Sequence, residues 1–311
     1  MIITNCHSSG TIYGYGSHVG GITGTLDFSE IIDSSSECNV SGVNDIGGLT
    51  GDGWLTLISN SNNSGEVSGK NYVGGLSGRL NGLLSRELLD DRTGPESRNQ
   101  NVTAETIETG SGKNLEARIT DSYSDGNIQG QNNVGGLVGE LVRGTIKNSY
   151  SNGNVTGEES VGGIAGEISY YGLIEHCYSS NKVTGTEQVG GLIGFSYYYR
   201  IINQSYFIGT VEGEECIGGL VGELSQTSIN NSYNRGEVIG LDRVGGLVGY
   251  HRAFSSLNDC YNTAPVYGEI NVGGLVGLHS SAGASNSYWD METSGQSTTS
   301  GQGEGRNTVE M

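Results

Sequence analysis

Two glutamates stand at equivalent points of a repeated phrase: "VGGLVGE" ends on Glu140 and "VGGIAGE" ends on Glu167. Two carboxylates about 5 Å apart are what a retaining glycosidase uses, one as nucleophile and one as acid and then base. That chemistry is open here only if 27 residues of chain return to the same place one layer further on. The next residues at this point of the phrase are Phe195, Glu223 and Tyr250, and no basic partner is evident beside the pair. Other catalytic signatures are missing: there is no GxSxG, no GxxxxGK[ST], no CxxC and no HExxH, so activated serine, phosphate-loop and zinc chemistry have no support. The expectation is a protein without catalytic, metal or cofactor residues of its own.

The five cysteines read as structural. Cys6, Cys177 and Cys260 share a position that elsewhere holds Ser34, Ser61, Ser122, Ser149, Ser205, Ser232 and Ser287. A slot shared by Ser and Cys is small and buried, and cysteines several layers apart cannot bridge. Cys38 and Cys216 each stand alone. An Asn/Asp position (Asn5, Asp33, Asn60, Asp121, Asn148, Asn231, Asp259, Asn286, with His176 and Gln204) could ligate a metal, but stacked Asn and Asp also form side-chain ladders and turn caps, the simpler reading. The acidic turns "GEES" at 157–160 and "GEEC" at 213–216 leave calcium open, although the glycine-aspartate nonapeptides of calcium-binding rolls are absent.

Aromatic residues offer a binding surface instead. Tyr170 and Tyr171, then Phe195, Tyr197, Tyr198 and Tyr199, then Tyr250, His251 and Phe254 occupy the same variable turn of successive repeats. Stacked along one edge they would present flat apolar faces with polar tips, suited to an extracellular glycan or to a host or neighbour-cell protein. "SQTS" at 225–228 interrupts the strip.

The elements that must position these residues are repeats. Six-residue copies run from Val19–Gly24 to Val272–Gly277, with starts 27, 27, 61, 27, 28, 28, 27 and 28 residues apart. Between them lies a second landmark, "IKNSYSNGNVTG" at 146–157 and its relatives. Aligned, it gives an aliphatic column from Ile3 to Leu257, a second from Ile12 to Val266, and a glycine two residues after each member of the second. Short β-branched runs between Gly, Asn and Ser are strands and turns. A constant period of this length is one coil of a β-solenoid, each strand pairing in parallel with its counterpart in the next coil. Nine or ten coils at about 4.8 Å each make a rod on the order of 45 Å long. Val134 and Leu137 can both face inward only if the chain kinks at Gly135–Gly136, where a Cβ would clash or φ is positive. The fold class is therefore all-β, a parallel β-helix over 1–291 with one insertion at about 79–112, followed by a polar closing segment or linker over 292–311.

The "VGGLVG" copies alternating with "NSYSNGNVTG" resemble the GLUG repeat family, over roughly 1–78 and 113–291. "NSYWDMETSGQSTTSGQGEGRNTVEM" at the end resembles the segment that closes such arrays. The resemblance implies a right-handed β-helix and a secreted or cell-surface setting. It also implies membership of adhesin-like surface chains or of the non-catalytic regions of IgA-protease-type metallopeptidases. It implies no particular activity.

Charge and hydropathy limit the partners. A net charge of −19 disfavours nucleic acid and anionic membranes, and no apolar run approaches the ~18 residues a membrane helix needs. The chain opens in mid-coil with nothing polar over the first strand, an unpaired edge that leads us to expect a longer parent chain or end-to-end assembly. The reading is a rigid stalk or adhesive module; the alternatives are a carbohydrate-active enzyme acting through Glu140 and Glu167, or a non-catalytic region of a large protease.

Overall fold

Ile3 pairs with Ile31, Ile31 with Ile58, Ile58 with Ile119 and Ile119 with Ile146: like sits on like, in parallel, from one repeat to the next. The computed structural model describes residues 1–83, 116–280, 283–298 and 302–311, with the backbone alone at 199–200. The pairing builds a parallel β-solenoid of about nine turns, and its strands form three faces.

The glycine face holds nine strands, from Ser17–Gly20 to Ile270–Gly273. The long face is made of two strands per turn, such as Val138–Val142 and Gly144–Lys147, which fuse into single strands at Ile193–Asn203 and Val221–Asn230. The tyrosine face begins with the continuous strands His7–Tyr13 and Ser35–Ser41 and continues as short pairs such as Tyr150–Ser151 and Asn154–Thr156.

One aliphatic core runs along the rod. Val134 and Leu137 are both fully buried, because the glycine-face strand stops at Gly135 and the long-face strand starts at Val138, with a bend between. Each such side chain contributes about 1.5–3 kcal/mol by leaving water. The paired glycines are required by space. A Cβ on Gly135 would strike the carbonyl oxygen of Val138, and one on Gly136 would strike the carbonyl oxygen of Gly163 and the Oγ of Ser151 on the opposite face. The rod is that thin at this corner.

Positive φ falls on other residues. The residue before each Val or Ile of the copies, including His18, Tyr72, Asn133, Cys216 and Arg243, has φ between 51° and 60°. The Asn/Asp column is a second left-handed corner, with φ from 47° to 54° in all ten members, Asn5 to Asn286. Asn and Asp tolerate this region best among residues with a side chain, and they also ladder: Asn148 Nδ2 donates to Asp121 Oδ1 at 3.1 Å and Asn286 Nδ2 to Asp259 Oδ1 at 3.2 Å.

The Ser/Cys slot forms a second ladder. The backbone N–H of Ser34 donates to Ser61 Oγ, that of Ser61 to Ser122 Oγ and that of Ser122 to Ser149 Oγ, at 3.1–3.2 Å. Cys177 takes the serine's place, donating to the Glu175 carbonyl at 3.3 Å and accepting from the Ser149 backbone. Burial pushes its thiol up to about 12, and that of Cys260 likewise. All five cysteines are free thiols.

The insertion leaves the rod later than the spacing indicates. Residues 79–81 complete the strand Ser77–Asn81, where Arg79 pairs with Asp52 behind and Glu140 ahead. The rung needs those residues to finish its long-face strand, and counting between landmarks could not show this. The remainder of 79–112 lies outside the described residues from 84 onward. At the other end, Glu304–Arg306 returns to pair with Tyr288–Asp290. Asp290 caps the short helix Met291–Ser294, and the indole of the buried Trp289 donates to the Gln296 carbonyl at 2.8 Å.

Candidate functional site

The variable turn lies between the two halves of the long face, where a rung's extra residue is accommodated. Ser169 and Leu173 are separated by one residue more than the equivalent Val142 and Thr145. Here too the chain goes left-handed, at Tyr170 (φ 56°), Tyr171 (61°), Tyr198 (66°) and Phe254 (61°). A bulky aromatic in this region costs roughly 1–2 kcal/mol. The Asn/Asp corner fills the same conformation with side chains that suit it, and this corner does not.

Four of the aromatic rings form one cluster. Tyr170 stacks on Tyr198 at 5.5 Å and 6° and meets Tyr197 edge-on at 5.7 Å, while Phe195 stacks on Tyr197 at 5.2 Å. Arg143 lies over the Tyr170 ring at 5.1 Å. Tyr171 and Tyr198 are 54% and 43% exposed. Burial and the neighbouring Glu167 push the Tyr197 phenol up to about 12, so it remains a neutral donor at any physiological pH. The side chain of Tyr199 lies outside the described residues.

The remaining three residues of the expected strip stand elsewhere. Tyr250 is two rungs from Phe195, with Glu223 between, and Arg252 and Arg243 lie over its ring at 4.9 and 5.4 Å. Phe254 projects alone, 86% exposed. His251 does not reach the surface: its exposure is 0%, because strand alternation turns it inward once Tyr250 points out. It continues the column of Leu141, Ile168, Ser196 and Leu224. That column, visible in the sequence one residue after Glu140 and Glu167, was the available signal.

Glu140 and Glu167 are register partners on adjacent rungs, as expected. The absence of a basic partner is corrected: Arg79 Nε lies 2.8 Å from Glu140 Oε2 and 3.6 Å from Asp45 Oδ1, and its guanidinium covers the Tyr72 ring at 3.9 Å. The 61-residue gap between copies hid Arg79, which occupies the same column one rung back. Burial pushes the Glu140 carboxyl up to about 7 against the pull of Arg79. Glu167 accepts from Asn133 Nδ2 at 2.7 Å. Both carboxylates are thus held by neighbours, and Phe195 follows Glu167 in the column, so the acidic row and the aromatic corner form one continuous surface.

In the acidic turns, Glu159, Glu187 and Glu215 stack in register, and Glu215 pairs with Arg243 at 2.8 Å. Among the described residues no three His, Cys, Asp or Glu side chains converge on a point that could hold a metal ion. A column of tyrosines on the tyrosine face is a ladder. Tyr123, Tyr150, Tyr178, Tyr206, Tyr233 and Tyr261 stack at 4.9–5.1 Å with rings within 8° of parallel.

No curated protein matches the chain. A solved structure of a Bacteroides ovatus protein with a provisional immunoglobulin A1 protease designation is a remote likeness. It covers 96% of this chain and 84% of its own, at 17% identity and a TM-score of 0.41. The family comparison is direct: residues 130–156 and 157–184, the adjacent rungs that carry Glu140 and Glu167, match the GLUG motif. Two adjacent rungs of the solenoid thus carry the GLUG motif.

Proposed function

We propose that this solenoid is a non-catalytic adhesive module, displayed outside the cell, that docks through the corner formed by Tyr170, Phe195, Tyr197 and Tyr198. The observation that carries the reading is the conformation of that corner. Tyr170 and Tyr198 sit at left-handed positions, a conformation that Asn and Asp fill at lower cost, and a strained position kept for a bulky side chain points to a use for that side chain. Large, amphipathic rings projecting from a turn suit the pockets of a protein partner. Rung-on-rung pairing supplies the stiffness a surface spacer needs.

The test is adhesion of beads coated with the chain to immobilised extracellular proteins, comparing wild type with a Tyr170→Ser/Tyr198→Ser double variant. Loss of adhesion with an unchanged melting curve is the expected result. Full adhesion by the double variant, or none by the wild type on any surface tried, rejects the proposal.

A further inference from the structure

On the edge between the tyrosine face and the glycine face, well away from the aromatic corner, the first rungs leave an open groove of about 780 Å³. Its floor is backbone. Gly42, Gly69 and Gly130 stack there because a Cβ on any of them would strike the side chains of Val19, Ile46, Val73 or Val134 inside the rod. Along one wall Tyr13, Ser41, Ser68 and Gln129 occupy the same position of successive rungs. Lys70, Gln131 and Glu158 line the other side.

What distinguishes these walls is that their long polar side chains are unused. The adjacent asparagines are laddered, Asn71 to Asn44 at 2.7 Å and Asn132 to Asn71 at 2.8 Å. By contrast, the side-chain amides of Gln129 and Gln131 make no hydrogen bond with any described residue. Lys147 and Lys182 are each paired with a glutamate, at 2.7 and 3.4 Å. Lys70 is the one lysine among the described residues without such a partner. At the end of the groove Tyr13 is 66% exposed, its ring set edge-on against Tyr15 at 5.0 Å.

We infer that this groove binds a short neutral oligosaccharide. Side-chain amides supply both donor and acceptor to vicinal hydroxyls, an ammonium supplies donors alone, and a tyrosine face takes the C–H side of a pyranose. The four rungs from Tyr13 to Gln129 span on the order of 15 Å at about 4.8 Å each. An extended sugar chain repeats at nearly that spacing, so successive rings meet equivalent rungs. The choice of a neutral sugar follows from charge. Lys70 is balanced within the groove by Glu158, and a chain of net charge −19 repels an acidic glycan.

The experiment is a glycan array followed by calorimetry with the best oligosaccharide, on wild type, Tyr13→Ala, Gln131→Ala and Tyr198→Ser. Expected are binding to neutral oligosaccharides that is insensitive to added salt, a loss of about tenfold on removing the Tyr13 ring, a similar loss for Gln131→Ala, and no change for Tyr198→Ser. This last variant separates the groove from the aromatic corner, whose failure leaves the groove intact. Three results would overturn the inference: no neutral oligosaccharide bound, binding indifferent to Tyr13→Ala and Gln131→Ala, or binding confined to acidic glycans and abolished by salt.

Discussion

His251 is the most informative residue to perturb. It stands in the core between Leu224 and His279 of the neighbouring rungs, with both ring nitrogens buried and without a hydrogen-bond partner. Burial, with a smaller push from His279 on the next rung, lowers its pKa from 6.5 to about 4. In the unfolded chain the imidazole takes a proton below pH 6.5; in the rod it stays neutral until about 4. Stability therefore falls as pH drops through that window and levels off beneath it. The gap between the two values corresponds to about 3 kcal/mol in all, of which about 2 kcal/mol is already lost at pH 5. Leu80, Leu141 and Leu224 fill the same column elsewhere, so His251→Leu places in the slot the residue it is shaped for. Relief of the unpaired ring nitrogens should stabilise the variant by about 1–3 kcal/mol at pH 7.5, with about 2 kcal/mol more at pH 5. Urea unfolding followed by circular dichroism measures both. A variant that loses stability between pH 7.5 and 5 as steeply as wild type, or is the weaker protein at both, refutes the reasoning.

Three further outcomes follow from the packing. Gly136→Ala drives a methyl into the Gly163 carbonyl and Ser151 and should cost about 3 kcal/mol; urea unfolding checks it, and a loss under half that size would show that the rungs can part. Tyr178 lies 4.9 Å from Tyr150 and 5.1 Å from Tyr206, so Tyr178→Ser removes two ring contacts and should cost about 2 kcal/mol, with loss of the near-ultraviolet dichroism of the stack. Because burial shields the other four thiols and Cys6 is exposed, iodoacetamide at pH 8 should label native protein at Cys6 alone; mass spectrometry showing Cys177 modified without denaturant would contradict the structure.

The period of the rod, its inward valines and leucines and its Asn/Asp corner were legible because each rests on local chemistry repeated many times. Val134 and Leu137 had to share a core, and Asn148 and its equivalents are the side chains a left-handed corner accepts. The left-handed corner ahead of the glycine copies was not legible, since His18, Tyr72, Cys216 and Arg243 have no common preference for it and the stacked rungs impose it. Arg79 escaped because an insertion separates it in sequence from the glutamate it touches. His251 was misread because its neighbour Tyr250 does face outward, and a turn of variable length conceals where alternation resumes. The groove at Lys70 and Gln131 carries no motif at all. It exists only as the meeting of several rungs.

One consequence of the pairing pattern concerns load. The backbone bonds that hold each turn run to the turns above and below, along the axis, as from Leu137 N–H to the Ile164 carbonyl at 2.9 Å. Tension on the two ends would strain the terminal turn alone, peeling it before the next is disturbed. Each peeled turn frees 27 or 28 residues, roughly 90 Å of extended strand, where one storey of the folded column measured about 5 Å. A tether built this way stands upright at rest and lengthens by discrete steps when pulled.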